Sequence, residues 1–227
     1  MFKKSFQIVF ICCFALISCK KDKWNEPANV SFVVDINRSP GLSDKLVFSS
    51  GKIVFENFSF EGDRVQGDDV YFLNSYSSGL NVTFDANNTV GDLDFEIPQG
   101  TFTRIQISFS TFGNSNDNHI EMTGTYSIGR DTAFPLKFEY NAKESFSVMA
   151  QNTSGSNEIV LNKETPAKPR IVFDPIYWFQ PVSLNLLNNA DVVDINGTST
   201  ILINSTTNIE IYNIVVNRVG DGVKIIF

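Results

Sequence analysis

The chain has 227 residues, with 18 basic and 25 acidic side chains, a net charge of −7 and one histidine. That balance excludes a nucleic acid or an anionic headgroup as a partner, because affinity for phosphate comes largely from Lys and Arg. A single histidine removes the paired-imidazole zinc and copper sites as well. In chain order, the first feature is Lys3-Lys4 followed by an apolar run from Phe6 to Ile17. An export signal needs about 7 to 15 apolar residues and a membrane-spanning helix roughly 20, so the run reads as a signal and not a span.

The run closes in Leu16-Ile17-Ser18-Cys19. This order of charge, apolar stretch, small residue and cysteine resembles a bacterial lipoprotein signal peptide. The resemblance implies that the Cys19 thiol accepts a diacylglycerol, that the preceding bond is cut, and that fatty acids of the palmitate kind hold the product to a membrane. The charged start Lys20, Lys21, Asp22 and Lys23 is similar to the export signals of Bacteroidota lipoproteins. It implies the outer membrane, with the periplasmic or surface-facing leaflet left open. The expected division is a signal peptide over 1–18, a lipidated tether over 19–29 and a single domain over 30–227.

Cleavage there removes Lys3 and Lys4, taking the charge from −7 to −9, together with Cys12 and Cys13. No disulfide is then available within the mature chain, so its fold must rest on a hydrophobic core. Several acyl chains on one sulfur anchor stably, since each buried methylene contributes about 0.8 kcal/mol.

Strand signals dominate from Val30 onward. The chain holds 21 phenylalanines, which with plentiful Val, Ile and Thr suit sheet surfaces buried on one side. In Lys52 to Phe60 the apolar positions fall at Ile53 and Phe55, then at Phe58 and Phe60, and the slip predicts a bulge near Asn57. From Thr101 to Phe109, Thr103, Ile105, Ile107 and Phe109 share one face and Arg104, Gln106 and Ser108 the other. Phe134, Leu136, Phe138 and Tyr140 alternate likewise, and Pro135, which lacks an N–H, places that strand at an edge. Many short strands without alternating helices predict an all-β fold, an antiparallel β-sandwich.

Near the C-terminus, Thr207-Asn208-Ile209-Glu210 has capping-box spacing and predicts a short helix starting at Thr207. Ile209, Tyr212, Val216 and Val219 would form its buried side, and Gly220 its stop. A second short helix is expected over 183–189. The layout, with Ile97-Pro98-Gln99-Gly100-Thr101-Phe102 and a later Phe173-Asp174-Pro175, is similar to uncharacterised Bacteroidota lipoproteins. That resemblance implies an immunoglobulin-like or transthyretin-like sandwich.

For chemistry, His119 directly follows the polar run 114–118 and reads as part of a solvated loop, with no G-x-S-x-G and no phosphate loop elsewhere. Paired carboxylates are the one catalytic plan that survives, since glycoside hydrolysis needs only two Asp or Glu side chains. Asp92, Asp94 and Glu96 alternate with Leu93, Phe95 and Ile97. They read as a charged outer face, the alternative being a calcium ligand row completed by a loop. No metal site and no cofactor is expected.

The candidate binding residues are Tyr177, Trp178 and Phe179, standing between Pro175 and Pro181. In an extended chain neighbours point opposite ways, so at least one ring would lie outside, suited to a glycan or a protein partner. The alternative is that Trp178 plugs the end of the core. Asp131-Thr132-Ala133 resembles the Asp-Ser/Thr-apolar motif of Bacteroidota O-glycosylation, which makes Thr132 a candidate modification site. The expected function is a non-enzymatic binding or assembly module at the cell envelope, held to the membrane through its lipid. The rivals are a carboxylate-dependent glycoside hydrolase and a structural subunit of a surface assembly.

Overall fold

Period-two apolar patterning becomes strand through most of the computed structural model, which describes residues 22–113, 117–129 and 132–227. The expected signal segment, Cys19, the triplet 114–116 and Asp131 lie outside the described residues. After a 3-10 turn at Asp22–Asn25 come β1 (Pro27–Ser31), β2 (Val33–Ile36), β3 (Leu46–Arg64), β4 (Val70–Phe84), β5 (Thr89–Val90) and β6 (Asp94–Pro98). There follow β7 (Gly100–Thr111), β8 (Ile120–Ile128), β9 (Thr132–Tyr140), β10 (Ser145–Met149), β11 (Ile159–Leu161) and β12 (Arg170–Phe173). Helices α1 (Pro175–Phe179) and α2 (Leu184–Asn188), hairpin β13 (Val192–Ile195) and β14 (Thr198–Ile203), helix α3 (Ile209–Val216) and β15 (Val223–Ile226) complete the chain.

The fold is an all-β sandwich with a short C-terminal helix. Its main sheet has ten strands in the order β10-β7-β3-β8-β9-β14-β13, with β11 also on β7, β4 on β3 and β5 on β4. A two-stranded sheet β1-β6 and a three-stranded sheet β15-β12-β2 cover its inner side. The join is aromatic: Phe32, between β1 and β2, meets Phe58 of the main sheet at 5.0 Å and Phe95 of β6 at 5.9 Å, ring centre to ring centre. Two pairings are parallel, β2 with β12 and β9 with β14, so the sandwich is not antiparallel throughout.

Strand β3 organises the main sheet. β4 runs along one edge of it, while β8 and then β7 share the other, β8 against Leu46–Ile53 and β7 against Phe55–Arg64. The expected bulge is present, because Phe55 faces Thr111 and Asn57 faces Ser110, leaving Glu56 with no partner residue on β7. Phe55 and Phe58 are both fully buried as a result. At the same level β7 gives way to β8 and β9 to β10, so the interruptions line up across three strands. Local bonds seal the gap: Phe112 N–H donates to the Val54 carbonyl at 2.8 Å, and Val54 N–H to that of His119 at 2.9 Å.

Three expectations are corrected. Thr103 is exposed, because a second register shift pairs Asp63 with Arg104 and Arg64 with Phe102, which makes Thr103 the extra residue. β9 is interior, since β14 pairs with Leu136–Phe138, beyond Pro135 and its missing N–H. The capping box does not form. Asn208 is the N-cap at φ 51° without a side-chain bond to the helix, and its amide donates instead to the carbonyls of Leu202 (2.8 Å) and Asp191 (2.9 Å). The helix is consequently rotated, burying Ile211, Tyr212 and Val215 and leaving Ile209 exposed; it ends at Val216, before Gly220. At α2, by contrast, Ser183 accepts the Leu186 amide as an N-cap serine should.

Gly124 of β8 faces Phe48 beside a further register shift of β3, and a Cβ there would lie 2.1 Å from the Val47 carbonyl oxygen. Backbone cannot yield as a flexible side chain does. Gly124→Ala should therefore lower unfolding stability by about 1–3 kcal/mol, read from urea melts followed by Trp178 fluorescence.

Candidate functional site

The aromatic row between the two prolines is helical, not extended. Asp174 accepts the Tyr177 amide at 3.0 Å, and Pro175 takes the first helical position, where a missing N–H costs nothing. Helical spacing turns Trp178 and Phe179 into the core, where both are fully buried. Trp178 Nε1 donates to the Asp221 carbonyl at 2.8 Å, while Phe179 packs on Phe48 and Phe138. Tyr177 is half-buried, with the Arg218 guanidinium 3.6 Å from its ring centre. The exposed-ring reading of these three residues is therefore corrected, and the other reading, Trp178 as a plug of the core, is the one the structure holds, with a cation over Tyr177.

The other expected positions scatter. Thr132 is exposed at the start of β9. His119 is buried rather than solvated, its backbone N–H donating to the Tyr140 carbonyl at 2.8 Å and its ring edge-on to Phe112. Asp92, Asp94 and Glu96 are exposed while Leu93 and Ile97 point inward. Among the described residues no group of three or more His, Cys, Asp or Glu side chains is placed to hold a metal ion.

A different surface comes together on the outward face of β4, β3, β7 and β10. Register places Tyr71, Glu61, Gln106 and Met149 in one row across the strands, and Leu73, Ser59, Ser108 and Ser147 in the next. With strands about 4.8 Å apart, each row spans roughly 14 Å. Val65 extends the face, its N–H donating to the Thr101 carbonyl at 2.9 Å, and Val160 pairs with Thr101 from the other side. Among the described residues eight large hydrophobic side chains are exposed, and five of them, Val65, Tyr71, Leu73, Met149 and Val160, lie on this face. Tyr71 is 68% exposed and Leu73 54%. The strand beneath is held from inside, where Phe72 stacks on Phe60 at 5.5 Å.

Between the apolar residues lies a neutral lattice. Gln106 Nε2 donates to Ser147 Oγ at 2.7 Å, the Ser108 and Ser147 hydroxyls are 3.0 Å apart, and Ser59 Oγ donates to the Ser108 carbonyl at 3.1 Å. The cation on the face, Arg104, is spent on Asp63 at 2.7 Å and on Glu61, and its hydrogen bond holds the Asp63 carboxyl below the usual range. The exposure of Tyr71 and Leu73 is not legible in the sequence, because Val70-Tyr71-Phe72-Leu73 is apolar throughout and shows no alternation.

Elsewhere the charges serve as braces. Arg38 and Arg170 both bond Asp35 beside an open cavity of about 610 Å³, and Arg38 also donates to the carbonyls of Ser49 and Asp85. On the outward side of β3, β8 and β9, Lys52, Glu121, Lys137 and Glu139 form a ladder, with Lys137 Nζ 2.8 Å from Glu121 and 2.6 Å from Glu139. Burial pushes the Glu121 carboxyl up, but Lys137 and Lys52 outweigh it and hold the group below its ordinary range. No family model, no curated protein and no solved structure matches the chain.

A carboxyl lowered by folding stabilises the fold above its unfolded-chain value, here 4.5, and that contribution is lost as pH falls through the folded value. Glu121→Gln should therefore be less stable than the parent at pH 7, and lose less stability than the parent on acidification below pH 4.5. Urea titrations across that range read both effects.

Proposed function

We propose that this chain is a lipid-anchored protein of the outer membrane whose sandwich binds an extended neutral glycan, without catalysis, on the outward face of β4, β3, β7 and β10. The carrying observation is the exposed ring of Tyr71 beside a lattice of uncharged hydroxyl and amide groups whose nearby charges are already paired. A sugar chain offers both complements, an apolar ring face for stacking and hydroxyls for the lattice. The membrane part rests on the signal that ends at Cys19.

Hydrolysis of glycosides calls for a general acid with a raised carboxyl pKa. Glu26, Asp35, Glu56, Asp63 and Glu121 are all shifted the other way, so none of these five suits the role of that acid. The apolar residues around the lattice favour one second reading, in which the same face docks another envelope protein as an assembly subunit.

Affinity electrophoresis through gels containing neutral polysaccharides tests the first reading. The parent should be retarded, and Tyr71→Ala should bind roughly tenfold more weakly, the loss of about 1.4 kcal/mol of stacking. Val192→Ala, at an exposed residue of β13, should behave as the parent. Unretarded parent protein in every gel would overturn the glycan reading, and release of shortened sugars would favour the hydrolase. For the anchor, Cys19→Ala should abolish incorporation of a clickable fatty acid and move the protein out of the membrane fraction.

A further inference from the structure

The described chain starts welded to the domain. Gln99, only 6% exposed, is the hub. Its side-chain amide donates to the Lys23 carbonyl at 2.7 Å and to the Glu26 carboxylate at 3.3 Å, and its side-chain oxygen accepts the Lys163 amide at 3.3 Å. Arg64 grips the same turn from the β3 end, Nη1 donating to the carbonyls of Trp24 at 2.7 Å and Gln99 at 3.0 Å. Lys163 Nζ closes onto Glu26 at 2.6 Å, and β1 then enters its ladder with β6 at Pro27. Eight of the eleven residues expected to form a loose tether, from Asp22 to Asn29, are therefore part of the folded body.

We infer that the domain sits flush on the bilayer, with the pole formed by Trp24, Arg64, Val65, Gln99 and Lys163 facing the headgroups. This rests on the proposal that Cys19 carries the lipid. Two residues, Lys20 and Lys21, lie between Cys19 and Asp22, and three steps of a fully extended chain at no more than about 3.6 Å each keep the start of the clamped turn within roughly 11 Å of the Cys19 Cα. A tether reaching Asn29 would have allowed about 36 Å, enough for the domain to tumble freely. The pole mixes Lys23, Arg64 and Lys163 with Glu26, Asp68 and Asp69, so it favours no headgroup charge and the acyl chains supply the attachment. Trp24 suits such a boundary, with an apolar ring and a polar N–H. β3 ends and β7 begins at this pole, so the rows of the proposed glycan face succeed one another away from the membrane, Val65 nearest and Leu73 farther out.

The chain has two tryptophans, Trp24 and the fully buried Trp178, which makes Trp24 a reporter. Acylated protein is reconstituted into phosphatidylcholine vesicles whose headgroups carry a fluorescence quencher. Emission should be strongly quenched, Trp24→Phe should remove most of the quenchable signal, and a spacer of about twelve Gly and Ser residues inserted between Lys21 and Asp22 should restore emission severalfold. Acylated, vesicle-bound protein with the same emission with and without the spacer overturns the inference while leaving the anchor intact. Protein without fatty acid that stays off the vesicles sinks the anchor itself and this inference with it. Coupling the Cys19 thiol of the mature chain to maleimide lipid separates the two, since the geometry then predicts the same spacer effect without the bacterial modification.

Discussion

One residue, Glu56, has no counterpart on β7, and the packing of both halves of the main sheet depends on it. Without the insertion, Phe55 and Phe58 would lie on opposite faces, and one fully buried ring would be turned into water. With it, two lengths of β3 that differ by one step in phase line a single core. The bulge is held by side chains that replace the missing ladder: Asn57 Oδ1 accepts the Ser110 amide at 3.1 Å, Asn57 Nδ2 donates to Ser110 Oγ at 2.6 Å, and Ser110 Oγ donates to Glu56 at 3.0 Å. Thr111 and Glu144 do the same one strand further out, exchanging bonds of 2.8 Å between their main chains and the Thr111 hydroxyl. A buried break in a sheet must satisfy every N–H and C=O it frees, and these polar residues sit where that demand arises.

The two outward faces of the main sheet show how the same requirement yields different surfaces. Around β8 and β9, lysines and glutamates alternate closely enough to neutralise one another, leaving a charged brace with little to offer a ligand. Around β7 and β10 the neutral side chains bond mainly to each other and Arg104 is shared between Asp63 and Glu61, so the exposed Tyr71 and Leu73 stand beside hydroxyl and amide groups with a single surplus negative charge nearby. It is on that surface that the binding of a neutral glycan is proposed. The Gln99 hub extends the logic to the N-terminal turn, where one buried amide meets its hydrogen-bonding capacity by fastening three separate segments.

Where the residue pattern misled, a local cue was present but outweighed. Asp174-Pro175 is an N-cap and first-turn pair, yet the surrounding aromatics read as extended, and the helix they form put Trp178 and Phe179 inside. Asn196-Gly197, with φ of 53° and 80°, makes the tight turn between β13 and β14, a local hairpin signal set in a stretch with little strand alternation around it. Thr207 and Glu210 had capping-box spacing, but Asn204 Oδ1 takes the Thr207 amide at 2.8 Å and Asn208 is drawn to Leu202 and Asp191, so the helix starts one step later.

Period and phase are local properties, and the residues by themselves determined them: the strand-rich class, the slip beside Asn57, the inward run of Ile105, Ile107 and Phe109, and the presence of a helix near the C-terminus. Which strand lies beside which is not local, because any apolar face can be covered by any other of similar width. Only the tertiary structure decided that β9 is interior, that Trp178 is core, that the chain is clamped from Asp22, and that Tyr71, Leu73, Gln106 and Met149 share a surface. Those four residues come from three strands up to 78 positions apart, and only the hydrogen-bond register between β4, β3, β7 and β10 brings them side by side.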